Sequence, residues 1–186
     1  MKRYLVLVVA IFVSTLLGCM PAFSQFVFVK VTDDNNNVLV GSSTTVGFAN
    51  QTVIESYGQG SSVCGLAGGQ AGCIPTTENF KYNFLLDPTV TDYRRALYLR
   101  RVWRKVEFSF TRMNGSTGTP FTYAKVLLED VYVVGLNEGV NNVEIPTFQV
   151  SLDPSKITWT FIPQLSNGST GLPRSFGYNR VTNTSF

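Results

Sequence analysis

Histidine does not occur in this 186-residue chain. No imidazole is available to deprotonate a serine or cysteine nucleophile, and zinc sites built on histidine fall with it. Cysteine is scarce, present as Cys19, Cys64 and Cys73. Three thiols leave no second Cys pair, so no metal site is expected. Charge is sparse too: charged residues make up 15% of the chain and the formal net charge is +3. Lys2 and Arg3 stand in an acid-free leader, and setting them aside leaves 13 basic against 12 acidic residues. So neutral a body gives little electrostatic reason to bind nucleic acid. Neighbouring carboxylates occur at Asp33-Asp34 and Glu129-Asp130. The first pair lies in a turn cluster, and the second sends its side chains to opposite faces of a strand unless a bulge intervenes. The glycine-rich run 65–72 lacks the Lys-Ser/Thr ending of a phosphate cradle. No enzyme activity, cofactor or metal is expected.

What is present points to one packed, exported domain. Hydrophobic residues reach 44% and aromatics 13%, enough for a core and against disorder. Lys2 and Arg3 form a basic n-region ahead of an apolar stretch, 5–17, of signal-peptide length. Two processing routes are open. Leu16-Leu17-Gly18-Cys19 resembles a lipobox, which would lipidate Cys19 and anchor the chain to a membrane. Ala22-Phe23-Ser24 resembles a small-x-small cleavage site, which would release a soluble chain from Gln25. The expected organisation is a leader over 1–24 and a β domain over 25–186. Export to an oxidising compartment favours a disulfide between Cys64 and Cys73, with two free thiols as the alternative.

Short extended segments dominate the rest. Phe26-Val27-Phe28-Val29-Lys30-Val31 is aromatic and β-branched, and Asp33-Asp34-Asn35-Asn36-Asn37 is a turn. Residues 46–57 read as extended, followed by a long Gly/Ser-rich loop to Thr77. Phe80, Tyr82 and Phe84 alternate with polar residues, as do Val106, Phe108 and Phe110, and later Ile157, Trp159 and Phe161. Asn114-Gly115 marks a hairpin loop. Residues 121–134 are long for one strand and their alternation stumbles at Leu127-Leu128, where a bend is expected. Residues 137–142 and Asp153-Pro154 read as turns, and a last short strand is expected around 176–181.

One helix interrupts the strands. Asp87-Pro88 offers an N-cap with proline at the first helical position, and Thr91-Asp92 a later start. Val90, Tyr93 and Leu97 fall on one face. Arg94, Arg95, Arg100, Arg101, Arg104 and Lys105 crowd its end. They read either as a solvated helix face whose cations suit the C-terminal dipole, or as a basic surface lining a lumen or interface. The fold expected is mainly β: a two-sheet barrel or sandwich of about eight strands with one α-helix.

Four stretches carry a family resemblance. They are Ile54-Glu55-Ser56-Tyr57-Gly58; Tyr123-Ala124-Lys125-Val126-Leu127-Leu128-Glu129-Asp130-Val131; Ser151-Leu152 followed by Lys156-Ile157-Thr158-Trp159-Thr160-Phe161; and Ile162-Pro163-Gln164 with Asn167-Gly168 and Gly177-Tyr178. In this order they resemble the haemolysin-coregulated protein family (Hcp), the inner-tube proteins of type VI secretion systems. The resemblance implies a barrel-like protomer that closes into hexameric rings, stacks into a tube and carries effectors. Implied partners are other copies of the chain and sheath, spike or effector proteins. Loops 63–77 and 35–45 are candidates for ring-to-ring contact. The family usually carries no cleavable leader. A second reading is therefore an exported monomeric or lipid-anchored binding module of the same fold, periplasmic or extracellular.

Overall fold

The structure, a computed structural model, describes residues 25–62, 75–114, 118–140 and 145–186. The expected leader, Cys19, Cys64 and Cys73 lie outside the described residues.

Eleven strands and one helix occur among the described residues. The first half holds β1 (Gln25–Thr32), β2 (Thr52–Ile54), β3 (Ser56–Gly58), β4 (Ser61–Ser62), β5 (Thr76–Thr77) and β6 (Phe80–Leu85). Helix α1 (Val90–Leu99) follows, then β7 (Val102–Met113), β8 (Pro120–Val140), β9 (Pro146–Phe161), β10 (Arg174–Asn179) and β11 (Thr184–Ser185). The fold is mainly β, as expected; the extra strands are mostly two or three residues long. Of the expected extended run 46–57, only β2 and β3 form, because 41–51 folds back on itself through Gly41 N–H to Asn50 O and Asn50 N–H to Ser43 O, both 2.8 Å.

All the pairings are antiparallel. The large sheet runs β11-β10-β9-β8-β7-β1-β2, and β6 joins β3 to the N-terminal half of β9. β9 thus serves two neighbours on one edge, β6 through Phe80↔Leu152 and β10 through Tyr178↔Ile157. β2 pairs with β1 and β3 with β6, so the sheet curls almost round on itself. Glu55 interrupts the ladder between them, and its N–H donates to Asn83 O at 2.8 Å. The sheet is barrel-like but not a closed ladder. β4 and β5 form a separate two-stranded ribbon.

The expected bend at Leu127-Leu128 lies two residues further on. Leu128 pairs with Val106 and Ile157 in regular register, while the next inward row is Val131 with Trp103 and Pro154. All six of these residues are buried. Successive inward positions are therefore three apart on all three strands, whereas a pleated strand requires two. Asp130 absorbs the slip at φ 52, a left-handed conformation that aspartate tolerates better than most residues. The Ser155 hydroxyl donates to Asp130 O at 3.2 Å. Had the alternation continued, Asp130 would point inward. The slip also explains why Asp153-Pro154 does not turn the chain: Pro154 sits buried inside β9, which continues past it. Likewise 137–140 continue β8 where a turn was expected.

The core is aromatic. Phe80, Tyr82 and Phe84 point inward from β6, Phe108 from β7 and Phe148 from β9. Tyr82 packs edge-on to Phe108 at 5.4 Å. Helix α1 buries Val90, Tyr93 and Ala96 against this cluster, with the Tyr93 ring 4.8 Å from Trp103. Burial of each such side chain contributes roughly 1.5–3 kcal/mol.

Candidate functional site

The basic run begins on α1. The helix ends at Leu99, so its last turn contains no base, and the expected dipole pairing does not form there. Arg94 and Arg95 lie mid-helix. Arg94 Nη2 donates to Glu138 Oε2 at 2.5 Å, and its guanidinium sits 6.0 Å over the Phe148 ring. Arg95 pairs with Asp92 at 3.3 Å, one helical turn away. Arg101 reaches Asp34 at 3.9 Å, Arg104 donates to Asn36 Oδ1 at 2.9 Å, and Lys105 meets Glu129 at 3.8 Å. The run is thus largely neutralised pair by pair on the molecule's own surface. Arg100 differs: it is the C-cap, held left-handed at φ 51, exposed, and without a side-chain partner among the described residues. Tyr98 and Leu99 beside it are 81% and 60% exposed, an apolar pair that water disfavours.

The start of α1 is anchored by a carboxylate. Asp87 is buried and accepts from Thr89 N–H at 3.0 Å and Thr89 Oγ1 at 2.6 Å. It also takes Ser42 N–H at 2.9 Å, Ser42 Oγ at 2.7 Å and Thr52 Oγ1 at 3.3 Å. The capping signal in the sequence is real, but Thr89 occupies the N-cap and Asp87 acts two residues earlier, tying α1 to 41–52. A second anchor fixes the tail: Arg180 pairs with Asp153 and donates to Pro154 O at 2.8 Å and Thr77 O at 3.2 Å. Nothing local in the sequence signals Arg180, whose partners lie far away along the chain.

β8 outruns its neighbour. β7 pairs with it only as far as Val102↔Tyr132, whereas β8 continues with β9 to Val140↔Pro146. Beyond Tyr132 the other edge of β8 has no strand beside it among the described residues. Tyr132, Val134 and Val140 are exposed there, Val140 at 70%. Helix α1 contacts β8, with Arg94 on Glu138, so these side chains offer an exposed apolar patch rather than a free strand edge.

Two concavities flank these features. A polar cleft of about 340 Å³ is lined by Glu55, Asn83, Asn137, Glu138 and Gln149. Asn83, Gln149 and Asn137 are register partners across β6, β9 and β8, which sets three amides in one row. Asn83 Oδ1 is buried without a hydrogen-bond donor among the described residues. Glu55 is exposed and makes no ion pair among the described residues. Sequence reading missed this cleft because its parts come from β6, β8, β9 and the break between β2 and β3. The second concavity, about 460 Å³, lies beside the stacked rings of Trp159 and Phe176, whose centroids are 5.9 Å apart. Among the described residues no group of three or more metal-binding side chains converges. Nor is any helix among them long and apolar enough to cross a membrane.

Comparison with known proteins gives one family. The family described as "Type VI secretion system effector, Hcp" matches residues 24–161. Similar solved structures include Hcp1 from Salmonella typhimurium, at 14% identity and a TM-score of 0.71, covering 88% of this chain and 99% of that one. A type six secretion system protein superposes with a TM-score of 0.75 at 16% identity, covering 88% of this chain and 100% of its own. Secreted protein Hcp3 from Pseudomonas aeruginosa gives 0.61 at 16% identity, with 84% and 98% covered. At these identities the structural likeness speaks for the fold. Comparison with curated proteins yields no match.

Proposed function

This chain belongs to the Hcp family of type VI secretion system proteins, and on that premise we propose that it is a structural tube subunit that closes into rings. The observation that carries the reading is the exposed apolar surface of β8 beyond Tyr132, at Val134 and Val140, on a stretch that α1 contacts and no strand but β9 pairs among the described residues. A monomer gains nothing from such a patch and risks aggregation by it, whereas a ring subunit buries it against a neighbour. Arg100, with Tyr98 and Leu99, adds a second exposed feature near one end of α1. In the 35–45 segment, proposed here for contact between stacked rings, Val38 and Val40 are 45% and 61% exposed. The role is architectural rather than enzymatic, with effectors as passengers.

The proposed mature chain starts at Gln25, one residue after the family match begins. Processing at Ala22-Phe23-Ser24 would release it, and lipidation at Cys19 would tether it. Replacing Val134 and Val140 with lysine in the chain from Gln25 tests the patch. The expected result is a shift from ring to monomer in sedimentation velocity, with the fold retained by circular dichroism. Rings of undiminished stability in that variant would remove the patch from the interface.

A further inference from the structure

We infer that the Glu55–Asn83 cleft is a receptor for a guanidinium, and that its occupant is Arg100 of a neighbouring copy. The inference rests on the ring reading above and names its charge contact.

The chemistry of the cleft fits one kind of group. Glu55 supplies a carboxylate that no base of its own chain neutralises among the described residues. Asn83 supplies an amide whose oxygen is turned away from solvent and lacks a donor among the described residues, a costly state that rotating the amide toward a docked donor relieves. Asn137 and Gln149 continue the amide row, linked at 3.4 Å. Glu138 closes the cleft but is already held by Arg94 at 2.5 Å, so Glu55 is the free anionic element. A guanidinium brings five N–H donors in a planar fork and no acceptor, which matches the exposed Glu55 carboxylate and an Asn83 amide turned toward it. An anion or an apolar ligand satisfies neither group.

The same chain carries the complement. Arg100 is the member of the basic run without a side-chain partner among the described residues, and it is presented at the C-terminal end of α1 in a left-handed turn. The turn itself is fixed: Arg100 N–H donates to Leu97 O at 3.4 Å and Arg101 N–H to Ala96 O at 3.0 Å. Exposed Tyr98 and Leu99 can pack around the cleft mouth when the charge docks. Unlike patches meeting head to tail are what a closed ring requires.

The test uses the chain from Gln25, with ring dissociation followed by sedimentation velocity. Glu55→Arg and Arg100→Glu singly are expected to raise the ring dissociation constant at least tenfold, and the double charge swap to recover most of that loss. Both positions are exposed, so thermal unfolding of each variant should match the parent. Single variants within twofold of the parent, or a double variant as impaired as the two losses combined, would overturn the contact while leaving the ring reading standing. A parent chain that stays monomeric at every concentration overturns both.

Discussion

The hydroxyl of Tyr82 donates to the hydroxyl of Tyr93 at 2.6 Å in the buried core. This bond joins β6 to the helix. Tyr93→Phe leaves the Tyr82 donor without its acceptor in a site closed to water. A loss of about 1–3 kcal/mol in unfolding free energy is expected. Removing both hydroxyls should cost less than adding the two single losses, because no orphan remains. Denaturant unfolding of the three variants checks both statements.

Stability should also fall with rising pH in the alkaline range. Burial pushes the phenols of Tyr57, Tyr82 and Tyr93 above their usual value. In the unfolded chain they ionise near pH ~10, while in the folded chain they keep their protons. Above that pH the unfolded state therefore binds fewer protons, and folding stability declines by roughly 1.4 kcal/mol per pH unit for each such group. Below it their contribution is fully present. Unfolding curves from pH 8 to 11 should show the decline, with a shallower slope in Tyr93→Phe. A flat profile through pH 11 would contradict it.

Asp87 holds α1 against 41–52 through five donors. Asp87→Ala strands the Thr89 and Ser42 N–H groups, and about 2–4 kcal/mol of stability should be lost. Exchange of the first α1 amides with solvent should rise together with exchange in 42–52, since one carboxylate serves both segments. An effect confined to the helix would show that the Ser42 and Thr52 bonds contribute little.

The proposed Cys64–Cys73 bridge has a structural basis in its flanks. β4 and β5 pair Ser61 with Thr77 and Ser62 with Thr76, so the chain ends are already together two residues before Cys64 and three after Cys73. A bridge closing so short a loop contributes roughly 2–3 kcal/mol in the chain-entropy model. Protein purified from an oxidising compartment should show no free thiol under denaturing conditions, and reduction should lower its melting temperature. Two reactive thiols in that preparation would refute the pairing.

Much of the fold was legible because strand alternation and burial coincide. Period two puts Phe80, Tyr82, Phe84, Val106, Phe108 and Ile157 on one face of their strands, and all are in the core, while Phe110 and Trp159 of the same alternations are half-buried and Phe161, at the end of β9, is exposed. Val90 and Tyr93 were read from helical spacing in the same way. Legibility failed where tertiary pairing overrides local preference. Asp153-Pro154 looks like a turn, yet the slip shared by β7, β8 and β9 accommodates Pro154 within a strand. Asn137 and Gly139 look like turn residues, yet they pair with Gln149 and Thr147. The basic run was legible as composition but not as electrostatics, because the acids that neutralise it, Asp34, Glu129 and Glu138, come from other strands and turns. The Glu55 cleft left no local trace at all.

The central claim is that this chain assembles. Native mass spectrometry with electron microscopy of the chain from Gln25, under oxidising and reducing conditions, tests it most directly. The account predicts closed hexameric rings, some of them stacked. Monomers alone under both conditions would contradict it and favour an exported binding module of the same fold.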